Sequence, residues 1–246
     1  MSYDAFAGVY DRLMVDAEYP RRVAYVEELF HRHDRMPTLL LDLACGTGNF
    51  SVAFVQKGVQ VVGADPSPEM LWQAQNKALA AGVEVLFLCQ AGEELDLYGT
   101  VDGAICMLDS LNHIANPQTL AAALERVALF LEPGRLFIFD VNTPYKHHEI
   151  LADNTFVLED EDLFCVWQNA TEGDLTQIDI DFFCRQEGEV YTRQSEQFFE
   201  RAYSPEALDA LLQAAGLDTV AVYGDLSFDP PEAETGRVYY VTRKRG

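Results

Sequence analysis

Short apolar runs alternate with helical patterns from Thr38 onward, and this order constrains the fold more than any other feature. The runs lack the in-and-out alternation of half-buried strands, which indicates strands buried on both faces, as in a parallel sheet covered by helices. At three points an N-cap residue precedes a proline, and at three others a glycine follows a helical pattern. The chain is therefore predicted to form a doubly wound, mostly parallel α/β sheet. The runs are residues 39–44, 59–64, 83–89, 101–108 and 136–141.

The pattern changes after Val141. Residues 156–203 contain paired aromatics and an alternation from Ile178 to Phe182, which predict three antiparallel strands inserted into the α/β pattern. A helix at 205–215 and strands at 217–223 and 238–243 then complete a predicted sheet of seven strands. We predict four segments: a helical and aromatic cap at 1–37, the Rossmann-like core at 38–144, an antiparallel β-lid at 145–203, and the completing helix and strands at 204–246.

The charge of the chain narrows the classes of possible partner. Its 246 residues include 40 acidic and 17 basic residues, so the net charge is −23. Recognition of phosphate backbones and anionic lipids begins with a basic patch, so nucleic-acid and membrane partners are not expected. The five cysteines form no C-x-x-C pair, which indicates buried thiols in a reducing compartment. We find no signal peptide or membrane-spanning run and predict a cytoplasmic protein.

The loop after the first strand carries the clearest ligand-binding pattern. Such sheets bind ligands beyond the carboxyl ends of their strands, and Gly46 and Gly48 let the backbone approach a ligand closely. Asp42 stands where dinucleotide dehydrogenases have an apolar residue, and Ser51 replaces the third glycine of G-x-G-x-x-G, which argues against a pyrophosphate. Asp65, after the second strand, can accept two hydrogen bonds from a ribose diol. A ribose ligand with an amine near Asp42 fits both acids.

Several motifs in a fixed order give the chain a family resemblance. Residues 42–48 read Asp-Leu-Ala-Cys-Gly-Thr-Gly, and residues 63–70 read Gly-Ala-Asp-Pro-Ser-Pro-Glu-Met. Further matches are Tyr3-Asp4 with Tyr10-Asp11, and residues 108–112, 139–142 and 202–205. With these motifs the chain resembles class I S-adenosylmethionine-dependent methyltransferases over nearly its whole length, and among them an uncharacterised bacterial YqeM-like subgroup. The resemblance implies that the core at 38–144 binds S-adenosylmethionine.

The resemblance also implies a role for each position of these motifs. The glycine loop would lie along the methionine and adenosine moieties, Asp42 would hold the methionine amino end, and Asp65 the ribose hydroxyls. Met70 would pack near the adenine, and Gln90-Ala91 stands where the family often has an acidic residue that bonds the adenine amino group. The predicted cofactor-binding residues are Asp42, Ala44, Cys45, Gly46, Gly48, Asp65, Pro66, Ser67, Met70, Gln90, Ala91 and Leu108.

Methyl transfer from a sulfonium donor requires few dedicated catalytic side chains. A sulfonium methyl is already activated, so orientation of the nucleophile can supply roughly 7 to 11 kcal/mol of the barrier. A general base helps when the acceptor is a protonated amine or a hydroxyl. The predicted catalytic residues are Tyr10, Asp109, His113 and Tyr145, with Asp140 as a further candidate base. The resemblance implies that Tyr10 closes over the methyl donor, whereas an isolated histidine such as His113 can also be a hydrogen-bonded loop residue.

Together these observations predict an S-adenosylmethionine-dependent methyltransferase that transfers the methyl group to a small-molecule acceptor by in-line displacement. The inserted strands would cover the mouth of the active site and select the acceptor. An NAD-type Rossmann oxidoreductase and a non-catalytic module that binds S-adenosylmethionine or its product are the alternatives. No metal site is predicted, since the adjacent His147 and His148 face opposite ways in extended chain. Monomer and homodimer both remain open.

Overall fold

The computed structural model of the chain describes residues 7, 8, 10–13, 17–186, 188 and 190–246. Tyr3 and Asp4 of the amino-terminal motif lie outside these residues. The α-helices are α1 (Tyr10–Leu13), α2 (Tyr19–His33), α3 (Asn49–Gln56), α4 (Pro68–Ala81), α5 (Pro117–Phe130) and α6 (Pro205–Ala214). A 3₁₀ turn at Gly92–Glu94 and a π-helix at Lys146–Leu151 complete the helical elements.

The strands form two sheets. They are β1 (Leu39–Leu43), β2 (Gln60–Asp65), β3 (Leu86–Cys89), β4 (Gly103–Cys106), β5 (Leu136–Asn142), β6 (Thr155–Asp160), β7 (Leu163–Glu172), β8 (Leu175–Arg185), β9 (Tyr191–Arg201), β10 (Leu217–Gly224) and β11 (Arg237–Lys244). The seven-stranded sheet has the order β3-β2-β1-β4-β5-β11-β10, in which β11 pairs antiparallel with both β5 and β10 and the other neighbouring pairs are parallel. The strand order reverses at β1, as expected for a doubly wound fold. The prediction of a seven-stranded, mostly parallel sheet is confirmed.

The helix ends follow the predicted signals. Each of the three predicted N-cap side chains accepts a hydrogen bond from a backbone N–H of the first helical turn, and such a cap contributes about 1 kcal/mol. These residues are Ser67, Asn116 and Ser204. Gly58, Gly82 and Gly216 follow helix ends with φ of 88°, 67° and 80°, a left-handed conformation that glycine adopts without a Cβ clash. Local sequence therefore sets the starts of α4, α5 and α6 and the ends of α3, α4 and α6.

The inserted region forms a four-stranded antiparallel sheet in the order β6-β7-β8-β9. The prediction of three strands was wrong, because β6 is mostly exposed and its sequence lacks the alternation of a half-buried strand. β8 and β9 pair without interruption from Leu175 opposite Arg201 to Arg185 opposite Tyr191. Their buried face carries Ile178, Phe182 and Phe198, which pack with Met70 of α4. This packing holds the four-stranded sheet over the carboxyl ends of the core strands.

Apolar side chains fill the space on both faces of the seven-stranded sheet. One layer includes Phe137, Phe139 and Leu124, and the other includes Phe30 and Tyr239, all of them essentially inaccessible to solvent. Residues of this kind contribute about 1.5 to 3 kcal/mol each on burial. None of the helices in the described part of the chain combines the length and the apolar character needed to cross a membrane.

All five cysteines are free thiols. Cys106 and Cys165 are buried, as predicted, and Cys45 and Cys184 are half-buried. The prediction of a buried thiol was wrong for Cys89, which is exposed. The reason is its position at the end of β3, because β3 is the edge strand of the sheet and is covered less than the central strands.

Candidate active site

A cavity of about 690 Å³ lies at the carboxyl ends of the parallel strands. Its walls come from the segments after β1, β2, β3 and β4, the start of α5, and residues of β8 and β9. This is the edge at which doubly wound sheets bind ligands, and the volume is that of a small-molecule site. Ten predicted site residues line the cavity: Tyr10, Ala44, Gly46, Asp65, Pro66, Met70, Gln90, Ala91, Leu108 and His113.

Asp65 holds the glycine loop against β2. Its Oδ2 accepts a hydrogen bond from the Gly46 N–H and its Oδ1 accepts one from the Ser67 N–H, both at 2.9 Å. Burial raises the pKa of Asp65, and these two backbone hydrogen bonds oppose the rise. The carboxylate still forms part of the cavity wall. Because each of its oxygens can accept more than one hydrogen bond, it can also accept from a diol.

Gly48 has a packing role. Its φ is 75°, it precedes the first residue of α3, and a Cβ at this position would lie 2.9 Å from the Cβ of Ala74 on α4. The glycine therefore allows α3 and α4 to approach each other closely. Gly48 and Ser67 were both predicted to bind cofactor, and neither is among the residues that line the cavity.

Asp42 lies beneath the glycine loop, with 2% of its surface exposed. The Ser51 hydroxyl donates a hydrogen bond to Oδ2 of Asp42 at 2.5 Å, so the residue that replaces the third glycine supports this acid. Burial raises the pKa of Asp42 to about 7, against the opposing effect of Ser51. Asp42 and Cys45 line a recess of about 30 Å³, whose wall shares Gly46 with the main cavity. A buried carboxyl group in this state favours a cationic partner.

A polar cluster fastens α1 to the glycine loop. Asp11 accepts hydrogen bonds from the Thr47 hydroxyl at 2.8 Å and from the Asn49 amide at 2.9 Å, and Lys77 of α4 pairs with it at 2.7 Å. This arrangement places Tyr10 in the walls of both the main cavity and the recess. Burial raises the pKa of the Tyr10 hydroxyl well above its ordinary value, so it remains a neutral donor.

In the cavity wall after β3, the side-chain amide of Gln90 forms its hydrogen bonds within its own loop. Gln90 Oε1 accepts a hydrogen bond from the Asp96 N–H at 3.0 Å, and its Nε2 donates to the Asp96 carbonyl oxygen at 3.4 Å. Ala91 and Leu108 line the cavity beside it, and Met70 is 95% buried or more in the same wall. Apolar side chains thus stand beside the acidic Glu93 in this part of the wall, a combination that suits a flat aromatic base with a polar edge.

Arg237 of β11 joins the ends of β4 and β5. Its Nη2 lies 2.6 Å from Oδ1 of Asp109, and its Nη1 donates to Oδ2 of Asp140. The Asn142 amide donates to the other oxygen of Asp109 at 2.8 Å. Asp140 also accepts the backbone N–H groups of Leu108 at 2.6 Å and Asp109 at 3.0 Å. The network therefore fixes the turn that follows β4.

This turn has an unfavourable backbone conformation. Leu108 and Asp109 have φ of 58° and 52°, and a left-handed conformation costs roughly 1 to 2 kcal/mol for each residue with a Cβ. Burial alone raises the pKa of Asp109, but the Arg237 cation outweighs it and holds the pKa well below the ordinary value. A carboxylate held in this state is a weak proton acceptor, and a catalytic role for Asp109 stays a prediction.

His113 faces the cavity with a buried acid behind it. Its Nε2 lies 3.4 Å from Oε1 of Glu200, and its ring packs on Phe198 with 5.1 Å between centroids. Glu200 is 3% exposed, and its Oε2 has no hydrogen-bond partner among the described residues. That oxygen lies 3.7 Å from Nε2 of the buried His147, whose pKa burial lowers to about 4. Burial raises the pKa of Glu200 as well.

Three of these side chains are close enough to suggest a metal site. Asp109, His113 and Glu200 each offer a ligand atom, and the three atoms lie within 4.8 Å of one another. Both oxygens of Asp109 already accept hydrogen bonds from Arg237 and Asn142. Because the Arg237 cation repels a divalent ion at this position, the electrostatics favour an ion-pair network over a metal centre.

The comparisons with known proteins agree with this geometry. Residues 40–134 match a family model described as a methyltransferase domain. The putative methyltransferase YqeM of Bacillus subtilis is 32% identical over 99% of this chain and 98% of its own length. A crystal structure of an S-adenosylmethionine-dependent methyltransferase from Clostridium acetobutylicum is 33% identical, with a TM-score of 0.90 and 99% coverage of both chains. The chain belongs to the S-adenosylmethionine-dependent methyltransferases.

Other relatives extend the comparison. A putative methyltransferase from Geobacillus is 29% identical over 99% of this chain and all of its own. A sugar N-methyltransferase from Streptoalloteichus is 21% identical with a TM-score of 0.79, covering 97% of this chain and 93% of its own, and this likeness shows the fold alone. The family assignment favours a methyltransferase over the NAD-type oxidoreductase considered from the sequence.

The residues of this methyltransferase fit S-adenosylmethionine as methyl donor. Gly46 lines the cavity with backbone atoms and no side chain. The Asp65 carboxylate also lines it and can accept further hydrogen bonds besides those from Gly46 and Ser67. Asp42 is a buried acid that favours a cation, as an amino group supplies. These features have the chemistry that the ribose hydroxyls and the amino group of the donor require.

The structure brings some predicted catalytic residues to the cavity and leaves others away from it. Tyr10 and His113 line the cavity, whereas Asp109 and Tyr145 do not. Tyr145 directly precedes the π-helix. Glu200 was not predicted as a site residue. The sequence did contain a signal, because strand alternation predicts an apolar residue at this position, on the buried face of β9 that also carries Phe198.

Proposed function

We propose that this methyltransferase transfers the methyl group of S-adenosylmethionine to a small-molecule acceptor within the 690 Å³ cavity. The observation that carries the proposal is a single cavity whose wall contains both Gly46 and Asp65, which fit the donor, and His113, which fits an acceptor. The free thiols support a reducing compartment such as the cytoplasm. Leu175 and Phe199 of the four-stranded sheet complete the wall and would contact the acceptor.

The roles of the residues follow from their placement. S-adenosylmethionine supplies a methyl group activated by a sulfonium centre. Asp65 and Gly46 hold and orient the ribose side, Asp42 pairs with the amino group, and Tyr10 excludes water above the loop. His113 accepts the proton that an amine or hydroxyl acceptor loses, and Glu200 stabilises the resulting imidazolium from 3.4 Å. A buried carboxylate is effective in this task because the surrounding dielectric is low.

Calorimetric titration with S-adenosylmethionine, S-adenosylhomocysteine and NAD tests the proposed donor. We expect the two sulfur nucleosides to bind with micromolar dissociation constants and NAD not to bind. An acceptor screen that measures S-adenosylhomocysteine release then tests turnover. Binding of NAD alone would refute the donor assignment, and binding of the donor without turnover on any acceptor would support the non-catalytic module.

Replacement of His113 by asparagine tests the proton acceptor. Once an acceptor is identified, H113N is expected to lower kcat by about 100-fold, a typical contribution of a positioned base, while S-adenosylhomocysteine binds as before. The exposed His148 provides the matched control, and H148N is expected to retain full activity. A H113N enzyme with unchanged kcat across pH 6 to 9 would show that His113 is a hydrogen-bonded wall residue.

Binding of the donor or its product is expected to release a proton from Asp42. Near pH 7 the free protein holds this carboxyl partly protonated, because burial raises its pKa to about 7. An ammonium group in the recess favours the ionised carboxylate, so the affinity should rise with pH between about 6 and 8, by at most tenfold per pH unit. Calorimetry of S-adenosylhomocysteine in buffers of different ionisation enthalpy measures the release. D42N should bind without this proton release, and an unchanged release in D42N would assign the proton to another group.

A further inference from the structure

We infer that the acceptor carries a carboxylate or phosphate group that Arg201 binds. This inference rests on the proposed function, since it concerns the acceptor part of the same cavity. Arg201 is the last residue of β9 and lines the cavity together with His113. A cation in this position calls for an explanation, because the chain as a whole carries a net charge of −23 and has 40 acids that could pair with it.

Arg201 is anchored by groups that leave most of its guanidinium available. Its backbone N–H donates to the Asn112 carbonyl oxygen at 2.8 Å, and its Nε donates to the Ala115 carbonyl oxygen at 2.6 Å. The guanidinium has five N–H donors. For the four on its terminal nitrogens, the described part of the chain provides no hydrogen-bond acceptor and no carboxylate in ion-pair range.

Arg193 of the same strand shows the contrast. It makes two hydrogen bonds to Asp181, at 2.9 and 2.8 Å, and it lies on the same face of β9 as Arg201 but farther along the strand, outside the cavity lining. An arginine on β9 therefore pairs with an acid where one is at hand. The Nε–H of Arg201 instead donates to the Ala115 carbonyl oxygen, which orients the guanidinium without neutralising its charge.

The surroundings of Arg201 strengthen the attraction for an anion. Ile114, Pro117, Leu175 and Phe199 line the same cavity, so much of its wall near β8, β9 and the start of α5 is apolar. An ionic hydrogen bond is stronger in such a low-dielectric setting than in water. The planar fork of a guanidinium matches the two oxygens of a carboxylate or phosphate. An acceptor held by its anionic group at Arg201 could then present its nucleophilic atom to the donor beside His113.

Small anions test this inference without knowledge of the acceptor. Inorganic phosphate and acetate are titrated separately into the S-adenosylhomocysteine complex, with amide chemical shifts followed by NMR. We expect saturable shifts at Ala115 and Thr119 in the wild type, and at least tenfold weaker binding in R201Q. The anion that binds more tightly distinguishes a phosphate-bearing from a carboxylate-bearing acceptor. R193Q, which removes an arginine from the same strand outside the cavity, should bind the anions as the wild type does.

Several results would overturn the inference. These are anion binding that R201Q leaves unchanged, binding that R193Q weakens as much as R201Q, or no binding of either anion by the wild-type complex. R201K keeps the charge without the fork, so anion affinity between those of the wild type and R201Q would support the assignment even if R201Q is less stable. If the wild-type protein does not bind S-adenosylhomocysteine at all, that result would instead refute the proposed function.

Discussion

Asp65→Ala is expected to weaken S-adenosylhomocysteine binding by at least about 100-fold. The side chain would lose two hydrogen bonds to a ribose diol, and a hydrogen bond to a charged group contributes about 1.5 to 3 kcal/mol. It would also lose the bonds to the Gly46 and Ser67 N–H groups, so the glycine loop would no longer be held in its binding conformation. Isothermal titration calorimetry at constant pH measures the loss directly.

Asp102 offers a matched control for this prediction. Its Oδ1 also accepts two backbone hydrogen bonds, from the Thr38 N–H at 2.8 Å and the Leu39 N–H at 2.7 Å, but at the amino end of β1, remote from the cavity lining. D102A should lose stability and keep its affinity for S-adenosylhomocysteine. Equal affinities of D65A and the wild type would remove Asp65 from the donor site.

Arg237→Gln is expected to destabilise the fold by about 3 to 5 kcal/mol, the usual cost of removing one partner from a buried ion pair. The variant leaves the carboxylates of Asp109 and Asp140 buried without their cation. Asp140 also holds the left-handed turn at Leu108 and Asp109, so the conformation of the cavity wall depends on the same network. A loss of this size is a large part of the 5 to 15 kcal/mol that typically stabilises a domain, on the order of a third.

The pH dependence of this loss has a definite sign. In the wild type Arg237 holds the pKa of Asp109 below its unfolded value, so this acid contributes stability above the unfolded pKa and loses it as pH falls. Burial already raises the pKa of Asp140 in the wild type; without Arg237 it would raise that pKa further and raise the pKa of Asp109 as well, so the variant would lose stability as pH rises. Urea unfolding should therefore show a larger difference at pH 8 than at pH 4. R193Q removes an exposed pair and should cost at most about 1 kcal/mol; a similar small cost for R237Q would contradict the argument.

The fold was predictable from sequence where its causes are local. The N-caps at Ser67, Asn116 and Ser204 and the glycines after helix ends are short-range signals, and the apolar runs mark strands buried on both faces. β6 was missed because an exposed strand owes its existence to pairing with β7 and carries little pattern of its own. The exposure of Cys89 depends on sheet order, which no local pattern contains.

The candidate site divides in the same way. Asp42 lies within β1, Gly46 follows β1 and Asp65 ends β2, so motif spacing alone places Gly46 and Asp65 at the cavity and Asp42 in the adjoining recess. Arg237 meets Asp109 across 128 residues of sequence, and Glu200 meets His113 only because β9 closes over the core. Asp109 was predicted as a catalytic base since an acid after a strand is a reasonable candidate. Its partner lies on the antiparallel strand β11, which the sequence shows only as an apolar run.

The separation of the two sheets bears on how such enzymes diversify. The four-stranded sheet is one uninterrupted piece of chain between β5 and α6, and it contributes Leu175, Phe199 and Arg201 to the cavity. The groups suited to the donor belong to the other sheet and its loops. If the proposed roles hold, sequence changes within β6–β9 alter which acceptor is bound and leave the donor-binding residues unchanged. Replacing β6–β9 with the corresponding segment of a relative is therefore a practical way to make chimeric methyltransferases.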